Sequence, residues 1–487
     1  MDVSSTFGRV DTWEASPLFT PTRHLTVPGE DGGADSDDPN SATADRPSPS
    51  ERPRHVILAD ANSFFASCER VFDPSLREKP VVVLSNNDGC VVARSAEAKP
   101  LIPMGVPWYQ VRETASEHGV VARSSNYELY GSLSRRMMHV MHNYFEHQEV
   151  YSIDECFLNS LKPIDEIVNI CHSMRTAVLK GVKIPVSVGI APTKTLAKVT
   201  NHWAKNNPDF TGVCAWESIA PPVRDMILAQ TPIDDVWGVG RRLTHKLVAL
   251  GIMNAKDLRD ADPVTIRRKF SVLLQRTVLE LRGIACVDDA ANALDGFRKQ
   301  QILCSRMFSR PVVGRTEIKQ ALSVYVQNAC RRLRRQGCLT SNVGIFCGVS
   351  PYSAKTGESS LPYTHTNLEA PSDDPLIIMK AVNENLVDLV NPHTHYIRAG
   401  VILSGLTLAS ADNPLEGFEA QRDSHNLGAI LDTATAKYGQ YCLGIGYGGI
   451  RGKGRKNHET GAAWSMRRNM LSPRCTTRWD EMATVTA

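Results

Sequence analysis

No apolar run in the chain approaches the roughly 18 residues that a bilayer span requires, so no membrane segment is expected. The opening MDVSSTFGRVDTWEASP has no basic start followed by an apolar block, and no secretory signal is expected either. C-x-x-C does not occur; the closest of the twelve cysteines are Cys330 and Cys338. Neither a zinc ribbon nor a disulfide framework is indicated, and reduced thiols in a cytoplasm are the simplest reading. Charge of one sign is in little excess, +3 over 487 residues, which alone points to no partner.

What the chain has is an ordinary globular balance, 42% hydrophobic and 22% charged. Its length suits roughly three or four domains of about 100–200 residues. Residues 1–54 hold five Arg or Lys against ten Asp or Glu and include PGEDGGADSDDPNSATADRPSPSERP. That stretch reads as a disordered tail, or as the product of an upstream start choice. The remaining body is about +8, which suits a polyanionic partner.

Order is expected from RHVILADANSFFASCE, with a strand through Val56–Ala59 ending at Asp60 and a helix from Ser63. KPVVVLS (79–85) and PVSVGIA (185–191) read as buried strands, and KTLAKVTNHWAK (194–205) as a helix. Strands and helices alternate to about residue 217, an α/β block. From 218 to 287 short helices are joined by glycines, including WGVGRRLTHKLVALGI. Beyond a small, polar linker at 288–297 comes a β-α-β-β-α-β pattern. Its strands are expected near 299–308, 341–350, 361–368 and 396–407, its helices near 317–335 and 373–391. The last 80 residues or so, rich in Gly, Asn and Arg, look loosely structured.

YSIDECFL (151–158) places two adjacent carboxylates inside a run that otherwise wants burial. Buried and unpaired, each would cost several kcal/mol or take up a proton. Asp60, at the end of the first strand, is a third acid able to share the same volume as Asp154 and Glu155. Divalent cations would then offset the desolvation, and paired ions suit phosphoryl transfer. Adjacent side chains of a flat strand point to opposite faces, so sharing a site requires a bend. The bland alternative is a strand-to-turn boundary with two solvated acids.

DANSFFASCE (60–69), SNNDGCVVARSAEAK (85–99), SSNYELY (124–130) and YSIDECF (151–157) stand in an order and spacing that resemble Y-family translesion DNA polymerases. More narrowly the chain is similar to the UmuC branch, the catalytic subunit of bacterial DNA polymerase V. The likeness extends from about residue 55 to about 480, through WGVGRR (237–242) and LSPRCTTR (471–478).

The resemblance implies a right-hand polymerase with a palm (55–64 and 129–217), fingers (65–128), a helical thumb with a helix-hairpin-helix (218–287), a little finger (298–408) and a partner-binding tail (409–487). It implies that Asp60, Asp154 and Glu155 hold two Mg²⁺ ions, with the Ala61 carbonyl completing the shell. It places Phe65 at the steric gate against a 2′-hydroxyl, although Phe65 beside Phe64 also reads as core. Lys205 matches a lysine on the incoming triphosphate; a solvated helix end is its alternative.

Lys99 stands where many relatives carry an Arg, and Ala96 where many carry a Tyr, a departure shared with the UmuC branch. An ammonium replaces a bidentate fork there. Gly238 and Gly240 followed by Arg241 and Arg242 are expected to hold DNA backbone through main-chain N–H groups and charge. RRLRR (331–335) suits either nucleic acid or a solvated helix face, and RGKGRK (451–456) nucleic acid or a partner.

The implied partners are primer-template DNA, a deoxynucleoside triphosphate, a UmuD-like accessory subunit, a RecA filament and a sliding clamp. PLEGFEA (414–420) is the nearest text to a clamp peptide. The implied activity is error-prone insertion past damaged bases in SOS mutagenesis. Two rivals stay open: a silent DNA-binding scaffold, and another palm-type two-metal enzyme such as a nucleotidyl cyclase.

Overall fold

The computed structural model describes residues 54–287, 300–350, 361–410, 426–438, 442–445 and 466–483. The tail before residue 54, the linker 288–297 and the stretches 414–420 and 451–456 lie outside the described residues.

Three sheets organise the chain, and the first carries the acids. Its five strands run in the order β5-β6-β1-β7-β8, with β1 His55–Ala61, β5 His147–Val150, β6 Glu155–Ser160, β7 Val186–Ala191 and β8 Val213–Ala215. β1 is apolar on both faces because both are covered. Ile57, Ala59 and Ala61 pack on one side with helices α1 (Phe64–Val71), α3 (Tyr127–His142) and α4 (Ile164–Val182). Val56 and Leu58 pack on the other with α5 (Lys194–Asn206) and the short helices that follow it.

Gly189 of β7 permits that second packing. A Cβ there would lie 2.3 Å from the Asn201 backbone nitrogen and 2.4 Å from the Ala197 carbonyl, so α5 rests directly on the strand. The fixed distance delivers the lysines of α5 to the sheet edge. From the far side, Glu280 of α10 (Val272–Leu281) caps α5, its carboxylate accepting from the Thr195 N–H at 3.0 Å.

The second sheet, β3-β2-β4 (β2 Val81–Leu84, β3 Val91–Arg94, β4 Val121–Ser124), carries α2 (Trp108–Glu117) beside it. Helices α6 to α10 span Pro221 to Leu281. The third sheet has the order β11-β10-β12-β9, with β9 Ile302–Val313, β10 Cys338–Val349, β11 Tyr363–Ser372 and β12 His395–Leu408. With α11 (Arg315–Arg335) and α12 (Pro375–Leu389), it follows the β-α-β-β-α-β order read from the sequence.

The described part of the C-terminal stretch holds a helix where composition points to loose structure. Helix α13 (Leu427–Tyr438) docks on α11, and Arg331 and Arg334 both reach Asp432, at 3.3 and 2.8 Å. Arg332 donates to the Leu303 carbonyl at 2.7 Å. The RRLRR run is therefore largely spent inside the protein; tertiary partners claim charges that look solvated in sequence. No disulfide joins any of the twelve cysteines. Among the described residues no helix is long and apolar enough to cross a membrane.

Candidate active site

β1 and β6 run antiparallel with Asp60 directly opposite Glu155, so both side chains leave the same face of the sheet. Asp154 precedes β6 in a bend rather than a flat strand, which resolves the adjacency problem. The bend is closed by local bonds. Ser152 Oγ accepts from the backbone N–H groups of Asp154 (3.2 Å) and Glu155 (3.0 Å) and donates to Asp154 Oδ1 at 2.5 Å. The Asp154 carbonyl in turn accepts the Ala61 N–H at 2.9 Å, locking the bend to the end of β1.

Each acid has a partner, and most are lysines of α5. Lys205 Nζ lies 2.5 Å from Asp60 Oδ2. Lys198 Nζ lies 2.9 Å from Glu155, and Lys194 Nζ 2.7 Å from Glu149 on β5. Residues 194, 198, 201 and 205 form one stripe at helical spacing, with Asn201 donating to the Ser187 carbonyl at 2.8 Å. Lys194 and Lys198 escaped the sequence reading, although the spacing of KTLAK was a usable signal. Lys198 also sits 4.7 Å from the Tyr151 ring centroid and 5.6 Å from that of Trp237.

The electrostatics fit crowded acids in a dry place. Burial pushes the Asp60 carboxyl up to about 7; Lys205 pulls it down, while Glu155 and Asp154 push it further up. Burial also raises Asp154, opposed by the Ser152 hydroxyl. Among the described residues, no three His, Cys, Asp or Glu side chains converge as a ready metal-ligating group. Lysines and Ser152 occupy the carboxylates instead. The donors are nonetheless all hard oxygens, and two of them, Asp60 and Asp154, are raised in pKa chiefly by burial. Such a set fits a divalent cation such as Mg²⁺.

Phe65 is not core in the way Phe64 is: Phe64 is buried and Phe65 is half-buried. Its ring stacks on that of Tyr130, with centroids 4.7 Å apart at 18°, and meets Tyr127 edge-on at 6.1 Å. Lys99 stands exposed on a turn that Arg94 braces through the Lys99 and Ile102 carbonyls. Its ammonium makes no ion pair among the described residues, so the structure does not bring it to the acids. Ala96 is exposed on the same turn.

In the WGVGRR stretch, Val239 is buried while Gly238 and Gly240 are exposed on either side. Gly238 has φ +88°, a value that disfavours other residues, and Gly240 caps α7 (Arg241–Val248). Arg241 and Arg242 open that helix on the surface. Trp237, just before, donates its indole N–H to Tyr151 Oη at 3.1 Å, joining this turn to the bend that carries the acids.

Three family models match the chain: the impB/mucB/samB family over residues 59–202, the C-terminal domain of that family over 299–416, and a domain of unknown function over 425–485. Protein ImpB of Salmonella typhimurium is 39% identical over 433 residues, 87% of this chain and 98% of that protein. Protein UmuC of Salmonella typhimurium strain LT2 is 39% identical over 439 residues, 88% of this chain and 99% of that protein. Among solved structures, a Y-family DNA polymerase chimera of Dbh and Dpo4 superposes with a TM-score of 0.55 at 20% identity. That match covers 73% of this chain and 99% of the chimera, a likeness of fold.

Proposed function

The chain belongs to the impB/mucB/samB family, the UmuC branch of the Y-family polymerases, and we propose that Asp60, Asp154 and Glu155 carry its error-prone translesion DNA synthesis. The observation that carries this reading is the pairing of Asp60 opposite Glu155 at the sheet end, with Asp154 bent towards them. The reaction is attack of a primer 3′-hydroxyl on the α-phosphate of a deoxynucleoside triphosphate, with pyrophosphate leaving. These carboxylates and the Ala61 carbonyl would hold two Mg²⁺ ions, which would supply charge neutralisation for the phosphoryl transfer.

The protein's own groups do the positioning. Lys205 is held at Asp60 on a long stem, and it exchanges that carboxylate for a triphosphate oxygen when nucleotide enters. Phe65 presents a ring face to the sugar and excludes a 2′-hydroxyl. The Gly238–Gly240 turn and Arg241 and Arg242 hold duplex phosphates without reading bases. Lys99, exposed on its turn, offers a point charge to the outer phosphates. A UmuD-like subunit, a RecA filament and a sliding clamp are the accessory partners of this reading.

Primer extension on damaged template tests it, with and without those accessory proteins. Template-directed insertion opposite the lesion that needs a divalent cation is the expected result. Duplex binding without insertion under every condition would leave only a scaffold.

A further inference from the structure

Residues 467–472 lie against the segment from Glu69 to Glu128. The Arg467 N–H donates to Asn87 Oδ1 at 2.9 Å, the Asn469 N–H to Asp88 Oδ2 at 2.9 Å, and the Ser124 N–H to the Met470 carbonyl at 3.0 Å. Arg468 pairs with Glu128 at 3.0 Å, and Met470 packs on the core around β2 and β3. Asn87 donates in turn to the Met307 and Phe308 carbonyls of β9, at 3.0 and 3.2 Å. One residue thus joins the chain end to the little-finger sheet.

Ser472 makes the contact of greatest consequence. The Asn126 amide donates to Ser472 Oγ at 2.9 Å and to its carbonyl at 3.0 Å, while Asn126 Oδ1 caps α3. With that proton received, the Ser472 hydroxyl gives its own to Glu69 Oε1, 3.0 Å away. Tyr130 Oη donates to the same oxygen at 2.6 Å. The Glu69 side chain is 1% exposed and its nearest cation, Arg123, stands 3.8 Å away, so water does not replace a lost donor. The ring of Tyr130 is the surface on which Phe65 stacks.

We propose that residues 467–481 are an intramolecular strap across the fingers–palm seam, and that Ser472 is a positioning residue for sugar selection, acting through Glu69 and Tyr130 on Phe65. The inference rests on the reading of Phe65 as the sugar gate. It gives a role to a segment that lies in a match to a domain model of unknown function. Without the Ser472 hydroxyl, Glu69 turns towards Arg123, the Tyr130 hydroxyl loses its anchor, and the floor beneath Phe65 loosens.

The test uses the full chain and compares kcat/KM for ribonucleotide and deoxyribonucleotide insertion in Phe65→Ala, Ser472→Ala, Ser472→Thr and Tyr130→Phe, with melting recorded. Ser472→Ala and Tyr130→Phe should each lower sugar discrimination about fivefold, the scale of one hydrogen bond. The change should fall mainly on KM for the ribonucleotide. Ser472→Thr keeps the hydroxyl and should keep the discrimination. Tyr130→Phe retains the stacked ring and decides the matter if Ser472→Ala does not fold. Unchanged discrimination in the folded variants, while Phe65→Ala admits ribonucleotides, overturns the strap's role alone. Unchanged discrimination in Phe65→Ala removes the gate, and this inference with it.

Discussion

Asp60 at the end of β1 and Glu69 on α1 are both carboxylates largely withdrawn from water, yet they are held by partners of different kinds. Asp60 faces Lys205, a single charge on a long stem that is 27% exposed, beside two further acids. Glu69 is pinned by the hydroxyls of Tyr130 and Ser472, with Arg123 at the margin. Burial raises both; at Asp60 its neighbour carboxylates add to the rise, while at Glu69 the two hydroxyls work against it. On the proposed reading a partly exposed ammonium gives way to a metal ion or a phosphate, and a buried hydroxyl pair does not. The first site would then exchange its partners and the second keep them, which is the difference between chemistry and positioning that variants at the two sites test.

The comparison breaks most visibly if the acids are removed. Asp154→Ala or Glu155→Ala should lower nucleotide insertion by at least about 10²–10³-fold. Primer-template binding should stay nearly intact, because these groups take cations and not DNA. Glu69→Gln should lose less than about tenfold in insertion, its effect falling on sugar choice. Rapid insertion by either acid variant in single-turnover assays would dismantle the active-site assignment.

The next effect in size belongs to Phe65. Its truncation to Ala or Gly should admit ribonucleotides by about one to two orders of magnitude more, since the loss of an unfavourable clash of 1.4 kcal/mol is tenfold. A core role predicts the reverse pattern: about 3–5 kcal/mol of lost stability and unaltered sugar choice. Half-burial and the stack on Tyr130 favour the first outcome. Insertion ratios and melting, measured on one preparation, distinguish the two.

How far each region could be read from sequence follows from where its partners lie. Asp60, Asp154 and Glu155 stand in short motifs beside buried strands that mark both partners, although the β1–β6 register that sets Asp60 opposite Glu155 joins strands far apart in sequence. The β-α-β-β-α-β pattern was legible for the same reason, because period and turns are local signals. The strap was not legible. Asn126 and Ser472 are 346 residues apart, and no periodicity in a stretch such as LSPRCTTR announces such a contact. RRLRR misled in the opposite direction, since Asp432 on α13 takes charges that look free. Lys198 was missed because its partner is fixed by how α5 crosses the sheet at Gly189. The sequence stretches proposed for the clamp and for basic contacts, 414–420 and 451–456, lie where the structure describes nothing.

A smaller effect tests the turn at Gly238–Gly240. If Arg241 and Arg242 contact only phosphates, removing either should reduce the slope of log affinity against log salt by about 1. Affinity should fall for all sequences alike. Fluorescence anisotropy over a salt series measures both. A slope unchanged in Arg242→Ala, or a variant that weakens only certain base sequences, would take the turn at Gly238–Gly240 out of the DNA interface.

The smallest effect probes the exchange idea itself. Lys198 holds Glu155 while lying against Tyr151 and Trp237, so it serves both as counter-charge and as filler between the acid bend and the turn at Trp237. If it stands in for a cation, Lys198→Gln should bind Mg²⁺ more tightly in the absence of nucleotide, because a competing positive charge is gone. The gain should not exceed about fivefold, since partly exposed pairs contribute about 0.2–1 kcal/mol. Thermal stability without metal should fall at the same time, as Glu155 loses its partner. Calorimetric titration of Mg²⁺ reads the first quantity and melting reads the second. A weaker Mg²⁺ affinity in a folded Lys198→Gln protein would mean that the lysine orients Glu155 for the ion instead of competing with it. The acids would then resemble Glu69, held in place by their partners and not freed by losing them.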